Sequence, residues 1–162
     1  MLKRPVTPAE ECSVELIDLV PNSLTFRMIT TLDITDESDI PDGFSGRVRF
    51  HRNDHVEYVA WYQDGVLHNP GRRNAAYRRY RSDGSLKYEM HYHHGALHDA
   101  ARDLPAVRGW YSNGQVHYEE RWYRGRRSDA VDGTPAIRKW RADGSCRHEL
   151  RYKRGARVTA RS

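Results

Sequence analysis

The sequence predicts an all-β fold, an elongated single-layer antiparallel meander of repeated β-hairpins with a capping hairpin at the N-terminus. Three observations favour this fold. A 30-residue period runs without a gap from Asn74 to Thr159, and an Asp-Gly or Asn-Gly dipeptide recurs in each copy. Only 38% of the 162 residues are hydrophobic, which suits a thin repeat array better than a thick core. Self-similarity at such a period indicates one supersecondary unit that stacks on its neighbours.

The chain divides into an N-terminal segment and a repeat region. We predict residues 1–45 to be an acidic capping hairpin with a linker, in which SVELIDL and LTFRMITTLDI flank PNS. A cap is expected there because the terminal unit of an array must cover an exposed strand edge. The repeat region, 46–159, holds a degenerate copy and three clear copies, with bounds 46–74, 75–104, 105–134 and 135–159. The degenerate copy keeps the phase of the others at Phe50, Val56, Tyr58, Tyr62, Gly65, Leu67 and His68.

Each clear copy has the pattern of a β-hairpin. Runs such as AYRRY and LKYEMHY alternate as strands do and are rich in aromatic residues. The dipeptides Asp83-Gly84, Asn113-Gly114 and Asp143-Gly144 predict two-residue type I′ turns, because both residues accept positive φ. Gly95, Gly125 and Gly155 mark a second reversal.

A two-residue turn would fix the strand register and the face on which each side chain lies. One face, here called the arginine face, is expected to carry cross-strand ion pairs and aromatic–basic pairs. Its expected pairs are Arg78–Glu89, Arg108–Glu119, Arg138–Glu149, Tyr80–Lys87, Trp110–His117 and Trp140–Arg147. The opposite face, with Tyr77, Leu86, Met90 and their counterparts, is more apolar. We therefore expect the opposite face to be buried and the arginine face to be exposed.

Charge is distributed unevenly along the chain. Residues 1–46 hold three basic and nine acidic residues, a net charge of −6, whereas residues 47–162 hold 24 basic and 13 acidic, a net charge of +11. A basic body suggests an acidic partner, or association between the head of one copy and the body of another. Cys12 and Cys146 form neither a disulfide framework nor a zinc motif. No apolar run reaches the length of a membrane span and no signal peptide is evident, so a cytoplasmic location is expected.

The repeat [PA]-A-x-R-x-[YW]-x-x-[DN]-G-x-x-x-x-E resembles the MORN-type repeats in their bacterial and viral variant form. DLPAVRGW at 103–110 and DGTPAIRKW at 133–140 carry most of the resemblance, which covers roughly residues 46–159. The family implies an elongated single-layer meander of hairpins. The period here is longer than in the eukaryotic repeats and their Tyr-x-Gly-x-Trp core is missing, so no membrane or lipid role is carried over. Bacterial variants are labelled antitoxin-like, which implies a phage or bacterial protein that binds and neutralises a protein partner.

Catalysis, a cofactor and a metal site are not expected. No serine or cysteine lies in a nucleophile motif, and no glycine-rich phosphate loop precedes a helix. HYHHGALHD brings four histidines close together, His91, His93, His94 and His98. The other copies place Arg121, Tyr123, Arg124 and Ser128 at matching positions, so exposed polar positions are favoured over metal ligands.

The sequence therefore predicts a non-catalytic repeat scaffold that binds an acidic protein surface through its arginine face, and that inhibits or assembles this partner. Tyr80, Trp110 and Trp140 are the expected anchors. The arginines expected to orient the partner are Arg78, Arg108, Arg138, Arg121 and Arg151. Two alternatives remain. Basic residues interleaved with aromatic ones also suit a nucleic acid, and the two open edges of a meander suit an edge-to-edge homo-oligomer.

Overall fold

A computed structural model describes residues 13–15 and 29–159 of the chain. The N-terminal part contains β1 (Ser13–Glu15), β2 (Ile29–Ile34), a 3₁₀ helix (Glu37–Asp39), β3 (Gly46–Arg52), β4 (His55–Gln63) and β5 (Val66–Leu67). The first clear copy contains β6 (Tyr77–Tyr80), β7 (Leu86–Met90), β8 (Tyr92–His93) and β9 (Ala96–Leu97). The next contains β10 (Val107–Trp110), β11 (Val116–Glu120), β12 (Trp122–Tyr123) and β13 (Arg126–Arg127). The last contains β14 (Ile137–Trp140), β15 (Cys146–Lys153) and β16 (Ala156–Val158).

One twelve-stranded sheet follows the order of the chain from β1 to β16, and β5 pairs with β4 beside this path. Two small hairpins, β8–β9 and β12–β13, form separate two-stranded sheets. The predicted all-β meander of hairpins is confirmed. One pair departs from it, because β2 and β3 are parallel and make the sheet mixed.

The N-terminal strands and the linker after them explain this parallel pair. β1 pairs antiparallel with β2, as the predicted hairpin requires, while the PNS turn lies outside the described residues. The acidic linker is exposed through its 3₁₀ helix, as expected. However, Ile40 and Phe44 pack against the core, so the linker crosses over the core. The linker therefore brings the chain back to the start of β3, which runs parallel to β2.

A row of aromatic rings covers one face of the sheet, here called the tyrosine face because it carries Tyr58, Tyr77, Tyr88 and Tyr118. Its buried core lies at the N-terminal end and consists of Ile34, Val48, Phe50, Tyr58 and Ala60. Ring centroids are 4.9 Å apart for Phe50–Tyr58, 5.1 Å for Tyr58–Tyr77 and 6.0 Å for Tyr77–Tyr88. The tyrosine face is the face that the sequence predicted to be the more apolar one, and stacked aromatic rings supply its apolar surface.

The predicted type I′ turns at the Asp-Gly and Asn-Gly dipeptides are wrong. Gly84 has a φ of +80°, but Asp83 has no positive φ. Arg81 donates its N–H to Ser85 and accepts one from Gly84, both at 2.9 Å, which gives a three-residue loop whose last residue is left-handed. Two-residue turns with positive φ at both positions occur instead at the second reversals, such as His94-Gly95.

The longer loop changes the register only near the turn. The pairs Arg78–Glu89, Arg108–Glu119 and Arg138–Glu149 lie opposite each other as predicted. A β-bulge follows in each hairpin, and the predicted partners Lys87, His117 and Arg147 are each displaced by one position. Tyr80, Trp110 and Trp140 therefore pair with Leu86, Val116 and Cys146.

The degenerate copy has a shorter first turn than the clear copies. Asn53 and Asp54 form a two-residue loop in which both φ values are positive. As a result Phe50 pairs with Tyr58, whereas Arg79 pairs with Tyr88 in the next copy. Phe50 is therefore equivalent to Arg79 rather than to Tyr80, and the expected phase at Phe50 is wrong by one residue.

The arginine face, which was expected to be exposed, is exposed only in part. The fully buried Ala76, Ala106 and Ala136 precede its arginines, and Glu119 is buried there as well. The connectors between hairpins fold back towards this face, since Arg108 donates to the carbonyl of Asp103. The arginine face is therefore half-buried, since the side chains of Arg78, Arg108 and Arg138 keep 24–37% of their surface exposed.

Candidate partner-binding surface

The arginines predicted to orient a partner are mostly engaged within the chain. Arg108 Nη2 lies 2.7 Å and Arg138 Nη2 lies 2.6 Å from the carboxylate of Glu119, which is thus held by two guanidinium groups. Arg78 lies 3.4 Å from Glu89, as predicted. Arg138 pairs with Glu119 and not with Glu149, although Glu149 is its register partner in β15. These ion pairs link neighbouring hairpins as well as the two strands of one hairpin.

Arg121 and Arg151 each bind an aspartate that also accepts two backbone N–H groups. We call this arrangement a clamp, and the sequence did not predict it. Asp99 Oδ1 accepts the N–H groups of Ala106 at 2.8 Å and Trp122 at 2.9 Å, and its Oδ2 accepts Arg121 Nη1 at 3.0 Å. Asp99 therefore joins its own connector to two hairpins at once. Arg121 is only 4% exposed. Burial raises the pKa of Asp99 against the opposing hydrogen bonds from Trp122, Ala106 and Arg121.

The same clamp recurs one period before and one period after Asp99. Asp129 Oδ1 accepts the N–H groups of Ala136 and Tyr152, and its Oδ2 accepts Arg151 at 3.2 Å. Asn69 Oδ1 accepts the equivalent N–H groups of Ala76 and Tyr92. His91 stands in this copy where the others have arginine, so a neutral amide accompanies a neutral residue. The 30-residue spacing of Asn69, Asp99 and Asp129 was the available signal.

The predicted aromatic anchors lie half-buried at the ends of β6, β10 and β14. Trp140 has a cation–ring contact, but with a residue of its own strand instead of the predicted Arg147. The Arg138 guanidinium lies 5.1 Å from the ring centroid of Trp140. Carbonyl groups of the anchors also accept hydrogen bonds from the preceding copy, since Arg81 donates to Trp110 and Tyr111 donates to Trp140 at 2.9 Å.

A shallow cleft of about 260 Å³ opens beside Trp110, where two copies meet. We call it the inter-repeat cleft, and its lining residues are Arg81, Lys87, Tyr88, Trp110, Tyr111, Ser112, His117 and Tyr118. The lining contains two permanent cations, four aromatic rings and no carboxylate. Arg81 donates to Leu86, Ser85 and Trp110 and forms no ion pair within residues 29–159, although its charge acts on Asp83 outside the lining.

Further positive charge borders the inter-repeat cleft at His117. Burial lowers the pKa of His117, and the nearby Lys139 and Arg147 lower it further. Tyr111 packs on His117 with ring centroids 4.2 Å apart. In residues 29–159 no carboxylate forms an ion pair with Lys87, Lys139 or Arg147. The cleft therefore offers positive charge that the described part of the chain leaves uncompensated.

Asp33, in an open groove of β2 and β3, accepts Arg49 at 2.6 Å and His51 at 2.7 Å. Burial raises the pKa of Asp33, but the hydrogen bonds from Arg49 and His51 outweigh it, so the pKa is lowered. The charge of this carboxylate is therefore already paired within the chain.

Histidine side chains do lie close together, but the group contains His68 in place of the expected His91. His68, His93 and His94 have ring centroids 4.4–5.4 Å apart, whereas His91 is buried elsewhere. His98 lies 5.7 Å from His93. Within the described ranges no group of His, Cys, Asp or Glu is arranged to hold a metal ion.

Comparison of the chain with protein-family models, with curated proteins and with solved structures found no match. The resemblance to MORN-type repeats therefore stays a prediction that rests on the repeat pattern alone. No helix in the described residues is long and apolar enough to cross a membrane.

Proposed function

We propose that this chain is a non-catalytic repeat scaffold that binds an acidic surface of another protein, and that the inter-repeat cleft is the centre of the contact. The observation that carries the proposal is the lining of the cleft, in which Lys87 and Arg81 lie among aromatic rings without a carboxylate. Aromatic residues and arginine dominate the centres of protein interfaces. An unpaired cation beside them favours an acidic residue in the partner.

The proposal shifts the orienting charge from the predicted arginines to other residues. Arg108 and Arg138 form ion pairs with Glu119, and Arg121 forms one with Asp99. These arginines therefore stabilise the scaffold. Lys87, Lys139 and Arg147 take the orienting role, with Trp110 as the central anchor. A bound partner would be inhibited by steric cover, as the antitoxin-like resemblance implies, in a cytoplasmic setting.

The test is capture of a partner from nuclease-treated native extract by tagged chain, followed by affinity measurement with that purified partner. Lys87→Glu and Trp110→Ala are each expected to lose about 2 kcal/mol of binding free energy, the scale of an interface hot spot. Lys153→Glu makes the same charge change on β15, away from the cleft, and should bind as the unchanged chain does. Equal affinity for all four proteins would refute the cleft as the binding site.

Nucleic-acid binding is the second candidate, favoured by the same unpaired cations and stacked rings. It predicts that capture disappears with nuclease and that affinity falls steeply between about 50 and 200 mM salt. An aromatic interface with a protein should weaken far less over that range, so the salt dependence distinguishes the two functions.

A further inference from the structure

Two histidines hold the turns of the small hairpins β8–β9 and β12–β13 against the preceding copy. The Nδ1 atom of His68 accepts the backbone N–H of His94 at 3.1 Å, and the Nδ1 atom of His98 accepts the backbone N–H of Arg124 at 3.2 Å. His68 and His98 are 30 residues apart, as are His94 and Arg124. One contact therefore occurs at two successive junctions between copies.

The direction of these hydrogen bonds fixes the protonation state of both imidazoles. A backbone N–H can only donate, so each Nδ1 atom must carry a lone pair, and the neutral ring has its proton on Nε2. A protonated imidazole has an N–H at both nitrogens and accepts no hydrogen bond there. Protonation of His68 would therefore set its own Nδ1–H against the N–H of His94, and His98 would lose its bond to Arg124 in the same way.

The amides held by these histidines lie in tight turns. His94 and Arg124 have φ values of +48° and +49°, in the left-handed region that residues with a side chain rarely adopt. The glycine that follows each of them donates its N–H to the carbonyl of Leu67 or Leu97 in the preceding copy, at 2.9 Å in both cases. One of the hydrogen bonds that hold each turn thus depends on a neutral histidine.

Other imidazoles surround His68. The ring centroids of His93 and His94 lie 5.4 Å and 4.7 Å from that of His68. Burial lowers the pKa of His68, and the nearby His94 and His93 lower it further. Positive charge that these rings gain in acid would therefore add repulsion to the loss of the hydrogen bond.

His98 has more varied neighbours. Its ring centroid lies 5.7 Å from that of His93 and 5.2 Å from that of Tyr123. Burial lowers the pKa of His98, and His93 and Arg124 lower it further against the opposite effect of Asp99. Acid should therefore break the contact at this junction as it does at His68.

The third junction has no histidine at this position. Ser128 stands 30 residues after His98, and a serine hydroxyl does not titrate between pH 5 and 8. The backbone contact of the turn is retained there, since Gly155 donates its N–H to the carbonyl of Arg127 at 2.8 Å. The chain therefore combines two titratable junctions with one that acid should leave intact.

We propose that His68 and His98 form an acid-sensitive switch, in which the neutral imidazoles fasten the turns of β8–β9 and β12–β13 to the preceding copy and protonation releases both turns. The large sheet should keep its pairing, because the small hairpins form sheets of their own. The switch does not involve the inter-repeat cleft and does not rest on the proposed function.

Amide hydrogen exchange of the full chain, followed by NMR between about pH 7.5 and 5, tests the switch. The protection factors of the His94 and Arg124 N–H groups, corrected for the intrinsic exchange rate at each pH, should fall several-fold as the pH drops. They should fall because opening of the turn takes up a proton. The protection factor of Arg154, the equivalent residue at the third junction, should stay constant and thereby exclude a general loss of structure.

His68→Asn and His98→Asn separate the switch from other effects of acid. The Oδ1 atom of asparagine can accept the same N–H and does not titrate, so each variant should keep its own junction protected at about pH 5 while the other junction opens. His68→Leu offers no acceptor and should lose protection of the first junction at every pH. His148→Asn, on β15 and outside both junctions, should respond as the unchanged chain does.

Nitrogen NMR of the imidazoles tests the premise without any variant. At about pH 7.5 His68 and His98 should both carry their proton on Nε2. A proton on Nδ1 of either ring would overturn the switch at that junction. The switch would also be overturned by protection factors at His94 and Arg124 that ignore pH, by an equal fall at Arg154, or by junctions that still open in acid in the asparagine variants.

Discussion

At the scale of single residues, Gly109 shows how the tyrosine face is kept continuous. Its neighbours across the sheet are Tyr88 on β7 and Tyr118 on β11. A Cβ atom added to Gly109 would lie 2.5 Å from Cζ of Tyr118, so the ring lies directly over the glycine backbone. A ring that covers a glycine restores the packing that the missing side chain would otherwise provide.

We expect Gly109→Ala to reduce the free energy of unfolding by about 1–3 kcal/mol, because the added methyl group overpacks a buried position. Tyr118→Ala alone should also destabilise the chain, since it exposes the glycine. The double variant should be less destabilised than the sum of the two, because removal of the ring makes room for the methyl group. Urea denaturation of the three variants measures this coupling. Strict additivity would show that the ring and the glycine do not depend on each other.

His91 makes stability depend on pH. Burial lowers the pKa of His91, and Arg78 and Arg108 lower it further against the opposite effect of Glu89. The folded chain keeps His91 neutral at pH values where the unfolded chain, with a pKa of about 6.5, already binds a proton. The contribution of His91 to the free energy of unfolding should therefore be fully present above about pH 6.5. The free energy of unfolding should fall as the pH drops towards the lower pKa of the folded chain.

His91→Leu should flatten this decline, because it removes the buried imidazole while keeping an apolar side chain in its place. Burial lowers the pKa of His68 and His98 too, so the variant should lose only part of the slope. Urea denaturation between about pH 7 and 5 measures the change. His55→Leu, at the β3–β4 turn, is the control. An unchanged slope in His91→Leu would assign the acid sensitivity to the other histidines.

At the scale of the hairpins, the clamps at Asn69, Asp99 and Asp129 join successive copies. Each clamp accepts an N–H from the start of the following hairpin and one from the small hairpin or its equivalent. The accompanying residue differs in charge, since Asp99 faces Arg121 whereas Asn69 belongs with His91. The chain thus contains a charged and a neutral form of one device.

Asp99→Asn should keep Oδ1 as the acceptor for both N–H groups. It should leave the buried Arg121 without its ion-pair partner. We expect a loss of about 3–5 kcal/mol in the free energy of unfolding, the usual cost of breaking a buried ion pair. Adding Arg121→His recreates the neutral arrangement of the first copy and should recover most of that loss. Denaturation of the two single variants and the double variant closes the cycle. No recovery in the double variant would show that the two forms of the clamp are not interchangeable.

At this scale the sequence predicted much, and its errors have local causes. The 30-residue period and the alternation of AYRRY placed the hairpins and the register of the Arg–Glu pairs correctly, because those pairs lie beyond the bulge. The ion pair of Arg138 with Glu119 instead of Glu149 was missed. The turn type was missed because Asp-Gly suits both a type I′ turn and a three-residue loop. A hydrogen bond from the Ser85 N–H to Asp83 Oδ1, at 2.8 Å, accompanies the longer loop. Hydrogen bonds from the Ser85 side chain and from its N–H lower the pKa of Asp83.

At the scale of the whole molecule, the order of strands followed from the repeat, whereas two features did not. The parallel β2–β3 pair depends on a linker whose composition indicated only exposure, and its Ile40 and Phe44 supply the contacts that fold it over the core. The partial burial of the arginine face depends on connectors that pack back on the sheet, and periodicity within strands carries no information about them. For the same reason Arg121, which the sequence predicted to orient a partner, is buried.

The agreement between strand order and chain order has a mechanical consequence. β1 lies at one edge of the large sheet and β16 at the other, so tension applied to the two ends of the chain acts across the strands. Hydrogen bonds in that geometry are loaded one pair after another, and the sheet unzips from its edges at low force. Each of the first two clear copies would release 30 residues, about 100 Å of extended chain, as a single step. Under such tension the sheet would open one hairpin at a time, although ion pairs such as Arg138–Glu119 link neighbouring hairpins.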